Sequence, residues 1–248
     1  MKISVITVCL NNESTIVDTL ESVNSQTSDD IEHIVIDGAS RDGTVELVRK
    51  HGKRVVRLLS EPDLGIYDAM NKGLSMASGE MVGFLNADDV FAGADSVRQI
   101  AMAASAPSRP DAVFGDLLYV DPVDLNCVIR RWRSGAFAAS RLRFGWMPPH
   151  PTFYVRTEEL RQIGGFDTQF RIAADYDCML RFLGRPGIHA AYVEQVLVRM
   201  RIGGASNRSV AALLRKSAED LRALRSNRIG GVLTLGCKNL RKLPQLWG

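Results

Sequence analysis

Apolar and polar positions change period along this chain, and the changes divide it into elements. Residues 3–10 alternate as a strand does, and residues 13–25 place Ile16, Leu20 and Val23 on one helical face. Residues 31–36 read as a second strand ending at Asp37-Gly38. Asp42-Gly43 opens a helix that runs to Lys50. A third strand at 55–59, a helix at 66–76 between Gly65 and Ser78-Gly79, and a fourth strand at 80–85 complete the first half. Strands alternating with helices in this way predict a mostly parallel sheet covered on both faces. Beyond it, residues 112–120 and 127–132 read as strands around the turn Asp121-Pro122-Val123-Asp124, and 146–151 is a proline-stiffened loop. Residues 173–182 read as a helix closed by Gly184, 193–200 as a strand, and 209–226 as an amphipathic helix.

Chemistry collects where the predicted strands end. Thr7 and Asn11 close the first, Asp37 the second, Glu61 and Asp63 follow the third, and Asn86, Asp88 and Asp89 follow the fourth. Any one of these is an ordinary turn former. Four in succession converge on one sheet edge, the side on which open α/β sheets bind ligands. Neither GxGxxG nor GxxxxGK[ST] occurs, so a nucleotide held here is held by side chains. A carboxylate about 4 Å from a phosphate costs roughly 4 kcal/mol at an effective dielectric of 20. The acids therefore favour a metal–nucleotide complex, with Mg2+ or Mn2+ on oxygen ligands, or no phosphate at all.

The composition, 46% hydrophobic and 24% charged over 248 residues, is that of a globular protein. The chain opens without a signal segment, and Cys9, Cys127, Cys178 and Cys237 form no CxxC pair, which reads as reduced thiols in a cytoplasmic protein. Charge is uneven. From Arg208 onward nine basic residues face Glu219 and Asp220, a net +7, which leaves the first 207 residues at −4 within an overall +3. An acidic body with a basic, leucine-rich tail argues against nucleic acid and is compatible with peripheral attachment to an anionic membrane surface.

The sequence resembles glycosyltransferase family 2, the inverting nucleotide-sugar enzymes of the GT-A fold. The matching pieces are residues 5–11 (VITVCLN), 33–44 (HIVIDGASRDGT), 60–73 (SEPDLGIYDAMNKG) and 79–89 (GEMVGFLNADD), in family order. The branch it resembles most builds bacterial exopolysaccharide and other envelope glycans on glycan or lipid-linked acceptors. The resemblance implies a GT-A-like α/β domain over 1–205, with a nucleotide half (1–110), an acceptor half (111–205) and a helical basic tail (206–248). Thr7, Asn11, Asp37 and Asp63 would line the nucleoside pocket, and Asp68, Asn71 and Lys72 would sit beside base, ribose or diphosphate. Asn86-Ala87-Asp88 takes the DxD place, with Asp88 and its neighbour Asp89 as the metal positions. Two departures stand out: Asn86 replaces the first DxD acid, and Gly38 replaces the second acid that commonly follows the one matching Asp37. UDP is the preferred nucleotide.

Inversion needs one carboxylate to take the acceptor hydroxyl's proton. The stretch 172–177 matches the place of the family's Glu-Asp base motif, with Ala174 at the glutamate, so Asp175 acts alone. Asp175 and Asp177 point in nearly opposite directions on a helix. Asp177 has Arg181 at i+4, the spacing of a surface pair, whereas Asp175 has no cation so placed. His150 and Trp146 are acceptor-side candidates, and Arg201-Ile202-Gly203-Gly204-Ala205-Ser206 resembles a segment that closes over the diphosphate. Val210, Leu213, Leu214, Leu221 and Leu224 form an apolar stripe that either packs on the body or lies on a membrane. Two alternatives stay open: a non-catalytic subunit of a membrane-associated polysaccharide complex, and a sugar-phosphate nucleotidyltransferase, for which the first loop lacks the glycine-rich, basic character that a triphosphate needs.

Overall fold

A computed structural model describes residues 1–203 and 210–241. The expected closing segment at Gly204-Ala205-Ser206, as well as Lys242 and Trp247, lies outside the described residues. The first half follows the predicted alternation within one to three residues: β1 (Ile3–Cys9), α1 (Ile16–Asn24), β2 (Ile31–Asp37), α2 (Thr44–His51), β3 (Val55–Ser60), α3 (Ile66–Met76) and β4 (Met81–Phe84). These strands pair in parallel in the order β3-β2-β1-β4. Every residue of β1 and β2 is buried, as expected of strands covered on both faces. The polar positions of β1 are therefore interior ones: Ser4 Oγ donates to Glu32 Oε2 (2.7 Å), and Thr7 Oγ1 lies 3.0 Å from His33 Nε2. Burial pushes His33 down to about 3, so its ring is neutral.

The second half continues with β5 (Val90–Phe91), α4 (Ser96–Ala104), β6 (Ala112–Val120), β7 (Val128–Trp132), two 3-10 helices (Ala139–Phe144 and His150–Thr152), β8 (Tyr154–Arg156), α5 (Thr157–Gln162), α6 (Ala174–Leu183), β9 (Ala190–Arg201), α7 (Val210–Ser226) and α8 (Val232–Leu240). It extends the same sheet as β4-β8-β6-β9-β5, with β7 paired to β6. Here the pairing turns mixed: β8 is antiparallel to both β4 and β6, while β9 is parallel to β6. The unbroken parallel run read from the sequence thus covers the first four strands, and β6–β9 is a further parallel pair in the mixed half.

Helices cover both faces. On one side Met70 and Leu74 of α3, Leu160 of α5, Met179 and Phe182 of α6, and Ala223 and Leu224 of α7 share a core with Ile6, Ile34 and Phe84. On the other, Ile16 and Leu20 of α1 and Val48 of α2 close over Val35, and Val97 and Ile100 of α4 over Ile3 and Leu117. The predicted stripe on α7 is divided by this packing. Leu224 is fully buried, while Leu213 and Leu214 face solvent. Among the described residues no helix is long and apolar enough to cross a membrane.

Candidate active site

The carboxyl ends of β3, β2, β1 and β4 lie side by side, and the loops that leave them build the site. Asp37, the last residue of β2, is its buried hub. It accepts hydrogen bonds from Ser40 N (3.0 Å), Ser60 Oγ (2.7 Å) and Ser40 Oγ. It thereby ties the ends of β2 and β3 to the loop that leads into α2. Asn11 sits at φ 54°, a left-handed conformation that asparagine tolerates better than most residues. Its side chain accepts from Arg41 N (2.9 Å) and its own N–H donates to Ser40 Oγ (2.8 Å), so it joins two loops.

The loop after β3 turns at Gly65 (φ 121°) into α3. Asp63 Oδ1 caps this turn by accepting from Gly65 N (2.8 Å), and Asp68 Oδ2 accepts from Leu64 N (3.1 Å). Lys72 Nζ reaches Glu61 (2.8 Å), Asp68 (3.5 Å) and the carbonyl of Pro62 (3.0 Å). Asp68 and Lys72 thus shape the loop from behind. Asn71 turns the other way and exchanges two hydrogen bonds with the backbone of Phe166 (2.8 and 2.9 Å). Asp63 Oδ2 occupies particular space: a Cβ at Gly38 would lie 2.5 Å from it and 3.5 Å from Leu10 Cδ1. Leu10, Gly38 and Asp63 therefore meet at one spot, and Leu10 and Leu64 are exposed beside it.

After β4 the chain passes through Asn86, Ala87, Asp88 and Asp89. Asp88 is half-buried at the mouth. Asp89 is 1% exposed and accepts from Asn86 Nδ2 (3.1 Å); burial and the neighbouring Asp88 push its carboxyl well above the usual range. Of the two metal positions expected from the sequence, Asp88 lies at the mouth and Asp89 inside the turn. Arg201, the first residue of the expected closing segment, is buried. At the end of β9 it donates to the carbonyls of Asp88 (2.6 Å) and Pro122 (3.0 Å) and pairs with Asp18 of α1. The backbone of Asp88 is fixed by that arginine.

Asp175 stands half-buried in the first turn of α6. Its Oδ1 accepts from Tyr176 N (2.8 Å) and from the Tyr67 hydroxyl (3.3 Å), which also donates to the carbonyl of Ile172 (2.6 Å). Burial and the charge of Asp175 push the Tyr67 phenol well above its usual range, so it keeps its single proton, which the nearer Ile172 carbonyl accepts with Asp175 as the longer contact. Glu219 of α7 accepts from the backbone N–H groups of Arg171, Ile172 and Ala173 (2.8–3.2 Å) and so caps the entry to α6. Tyr119 of β6 is half-buried, and burial raises its phenol pKa. The Arg130 guanidinium covers its ring at 3.8 Å, and Trp132 stacks on it with centroids 6.4 Å apart.

Several sequence expectations change in this setting. Thr7 is sealed inside the sheet against His33, two residues short of the strand end, and does not reach the cleft. Trp146 is 3% exposed, packs against Phe114 and Phe137 and donates its indole N–H to Ser134 O (2.7 Å), so no ring face is left for a sugar. Asp177 is no surface residue: buried, it accepts from Arg181 Nε (2.7 Å) and Asn227 Nδ2 (2.9 Å) and pins α7 to α6. His150 is half-buried, stacked on Phe84 and edge-on to Phe166, and burial lowers its pKa so that it is neutral. Tyr67, Glu219, Leu10 and Tyr119 went unassigned in the sequence. The one available signal was Tyr67, a polar-tipped aromatic in the first turn after the Gly65 corner.

Among the described residues no three His, Cys, Asp or Glu side chains come together as a self-sufficient metal cage. Asp88 nevertheless suits a hard divalent cation shared with a nucleotide. Such ions take one or two protein carboxylates and complete their shell with phosphate and water.

Comparisons with known proteins agree with this layout. The family model described as "Glycosyl transferase family 2" matches residues 4–171. A "PGL/p-HBAD biosynthesis glycosyltransferase" of Mycobacterium tuberculosis (strain ATCC 25177 / H37Ra) is 30% identical over 209 residues, 82% of this chain and 78% of its own length. An uncharacterised glycosyltransferase of M. tuberculosis (strain ATCC 25618 / H37Rv) is 34% identical over 186 residues, covering 72% of this chain and 68% of its own. Among solved structures, S. aureus TarS 1-349 in complex with UDP-GlcNAc superposes with a TM-score of 0.70 at 19% identity, over 92% of this chain and 66% of that one. The mannosyltransferase PcManGT of Pyrobaculum calidifontis, in complex with GDP-Man and Mn2+, gives 0.68 at 22% identity over 99% and 73%. The chain spans about two thirds of the TarS fragment it matches, and at these identities the structural likeness speaks for the fold. A family match over most of the chain, relatives of at least 30% identity and the shared sheet together make this chain a member of glycosyltransferase family 2, with the GT-A fold.

Proposed function

We propose that this chain transfers a sugar, with inversion, from a nucleoside-diphosphate donor to a hydroxyl of a glycan or lipid-linked acceptor in bacterial envelope polysaccharide synthesis. The observation that carries this reading is the position of Asp175. It is a half-exposed carboxylate in contact with Tyr67, on a helix start capped by Glu219, and Tyr67 itself stands in the first turn of α3, just after the loop that holds Asp63. Asp175 takes the proton of the acceptor hydroxyl as that oxygen bonds to the anomeric carbon and the bond to the diphosphate breaks. Asp88 would hold Mn2+ or Mg2+, which when bound neutralises charge on the diphosphate. Neutral His150 and the Tyr119–Arg130–Trp132 stack form the acceptor side.

UDP is the favoured nucleotide in this reading, and Asp63 supplies the reason. Gly38 leaves out the second acid that the family commonly has there, but the Asp63 carboxylate reaches across the vacant side-chain position. An acceptor oxygen beside Leu10 suits the N–H of a uracil stacked on an apolar rim. Gly38→Ala would push Asp63 aside, and calorimetry with UDP and Mn2+ should then show affinity falling about tenfold, the scale of a modest overpacking penalty. Unchanged affinity would take Asp63 out of the base pocket. The reaction itself is tested by donor hydrolysis with UDP-, GDP- and dTDP-sugars, with and without Mn2+. Hydrolysis of none of them under either condition would favour the non-catalytic alternative.

A further inference from the structure

Helix α8 turns Val232, Leu233 and Leu240 to solvent, with Asn239 as its exposed polar side chain. Its packed side carries Thr234, Leu235 and Lys238; the Lys238 ammonium lies 2.7 Å from Asp220 Oδ2 and 3.3 Å from the Tyr176 ring centroid. On the opposite side Leu233, Gly236 and Leu240 recur at i, i+3 and i+7, the spacing of a single helical stripe. Leu233 is 88% exposed and Leu240 63%, with Val232 exposed beside them. A surface helix ordinarily turns such a stripe to the core.

The stripe does not stand alone. Phe144, 59% exposed, ends the 3-10 helix Ala139–Phe144, and its carbonyl accepts from Arg241 Nε (2.9 Å) just past the end of α8. Gly145 packs so closely on the Lys238 backbone that a Cβ there would meet Lys238 Cα at 2.5 Å. Two elements that each expose apolar side chains are thus fastened to one another. Residues 139–145 and 229–241 contain Arg141, Arg143, Lys238 and Arg241 and no Asp or Glu. Lys238 points inward, while Arg143 and Arg241 are exposed beside Phe144 and Leu240. Exposed leucine and phenylalanine flanked by arginine, without a carboxylate, complement an anionic bilayer surface, where the side chains enter the headgroup boundary and the guanidiniums meet phosphates.

We propose that the face formed by Phe144, Val232, Leu233 and Leu240, with Arg143 and Arg241, docks on a bilayer surface rich in anionic phospholipid. The inference rests on the proposed transferase reading only in giving that surface a purpose. Lys238 lies on Tyr176, the residue after Asp175, so docking through α8 would hold a lipid-linked acceptor's membrane close to the proposed base.

Vesicle co-sedimentation of the full chain tests it without relying on catalysis. The chain should sediment with phosphatidylcholine–phosphatidylglycerol vesicles, less so as salt rises, and remain in solution with phosphatidylcholine alone. The double variant Leu233→Glu/Leu240→Glu, and separately Phe144→Glu, should lose at least about tenfold in binding to the mixed vesicles, with donor hydrolysis in free solution unchanged. No sedimentation of the parent chain, or sedimentation of the variants equal to the parent's, would overturn the proposal. So would a dimer in light scattering that Leu233→Glu dissociates while vesicle binding is absent, because a second copy would then be the occupant. Vesicle binding without any donor hydrolysis would leave the docking face standing and remove the transferase reading.

Discussion

Asp175→Asn should bind the donor nucleotide as the parent chain does and lose sugar transfer by about 10²- to 10⁴-fold, the range over which a positioned general base contributes. The exchange is nearly isosteric. The amide oxygen can still accept from Tyr67 and Tyr176, so α6 keeps its start and the strand-end loops are untouched. What disappears is a carboxylate able to take a proton as the acceptor oxygen becomes a nucleophile. Calorimetry with UDP and Mn2+ should therefore show unchanged affinity, while single-turnover transfer collapses. Full activity in Asp175→Asn would end its assignment as the base, and loss of nucleotide affinity would relocate it to the donor pocket.

Asp88→Ala should abolish the dependence of nucleotide binding on the cation and reduce turnover on the order of 10³-fold, the several kcal/mol that charge neutralisation of a departing diphosphate supplies. The hydrogen bond from Arg201 ends on the main-chain carbonyl of Asp88, which the alanine variant keeps. Calorimetry with and without Mn2+ separates the possibilities. If the alanine variant still binds UDP more tightly in the presence of Mn2+, another group carries the ion.

The first half of the fold was legible because its elements are long and strongly periodic and are separated by glycine or aspartate turns. Helix α3 matched its predicted span of 66–76. Short elements escaped: β8 has three residues and α5 six, too few for a period to show. Helix α4 was readable but overlooked, since Val97, Ile100 and Ala104 fall at helical spacing. At the site, the choice of Asp175 over Asp177 rested on helix geometry, and the structure places the two differently, one at the cleft and one buried. Local spacing accounts for only part of the Asp177 environment. Arg181 is indeed its partner, but Asn227, fifty residues away, completes a buried junction that no local spacing reveals. Asn71 and Glu219 share that limit, since their partners are backbone groups of distant loops. Thr7 failed for a simpler reason: in a strand covered on both faces, a polar residue two positions from the end is still interior.

The contact of Glu219 with residues 171–173 bears on how far the enzyme can be trimmed. The family match stops at residue 171, four positions before the proposed base, and the stretch after 205 reads as a helical basic appendage. Yet that appendage supplies the carboxylate that gathers three main-chain amides at the head of α6, and it fills the core with Ala223 and Leu224. A shortened chain ending at residue 205 should therefore melt earlier than the full chain in a thermal scan and fail to transfer sugar, even though every strand-end loop is retained. Wild-type transfer by that fragment would show that catalysis is modular after all.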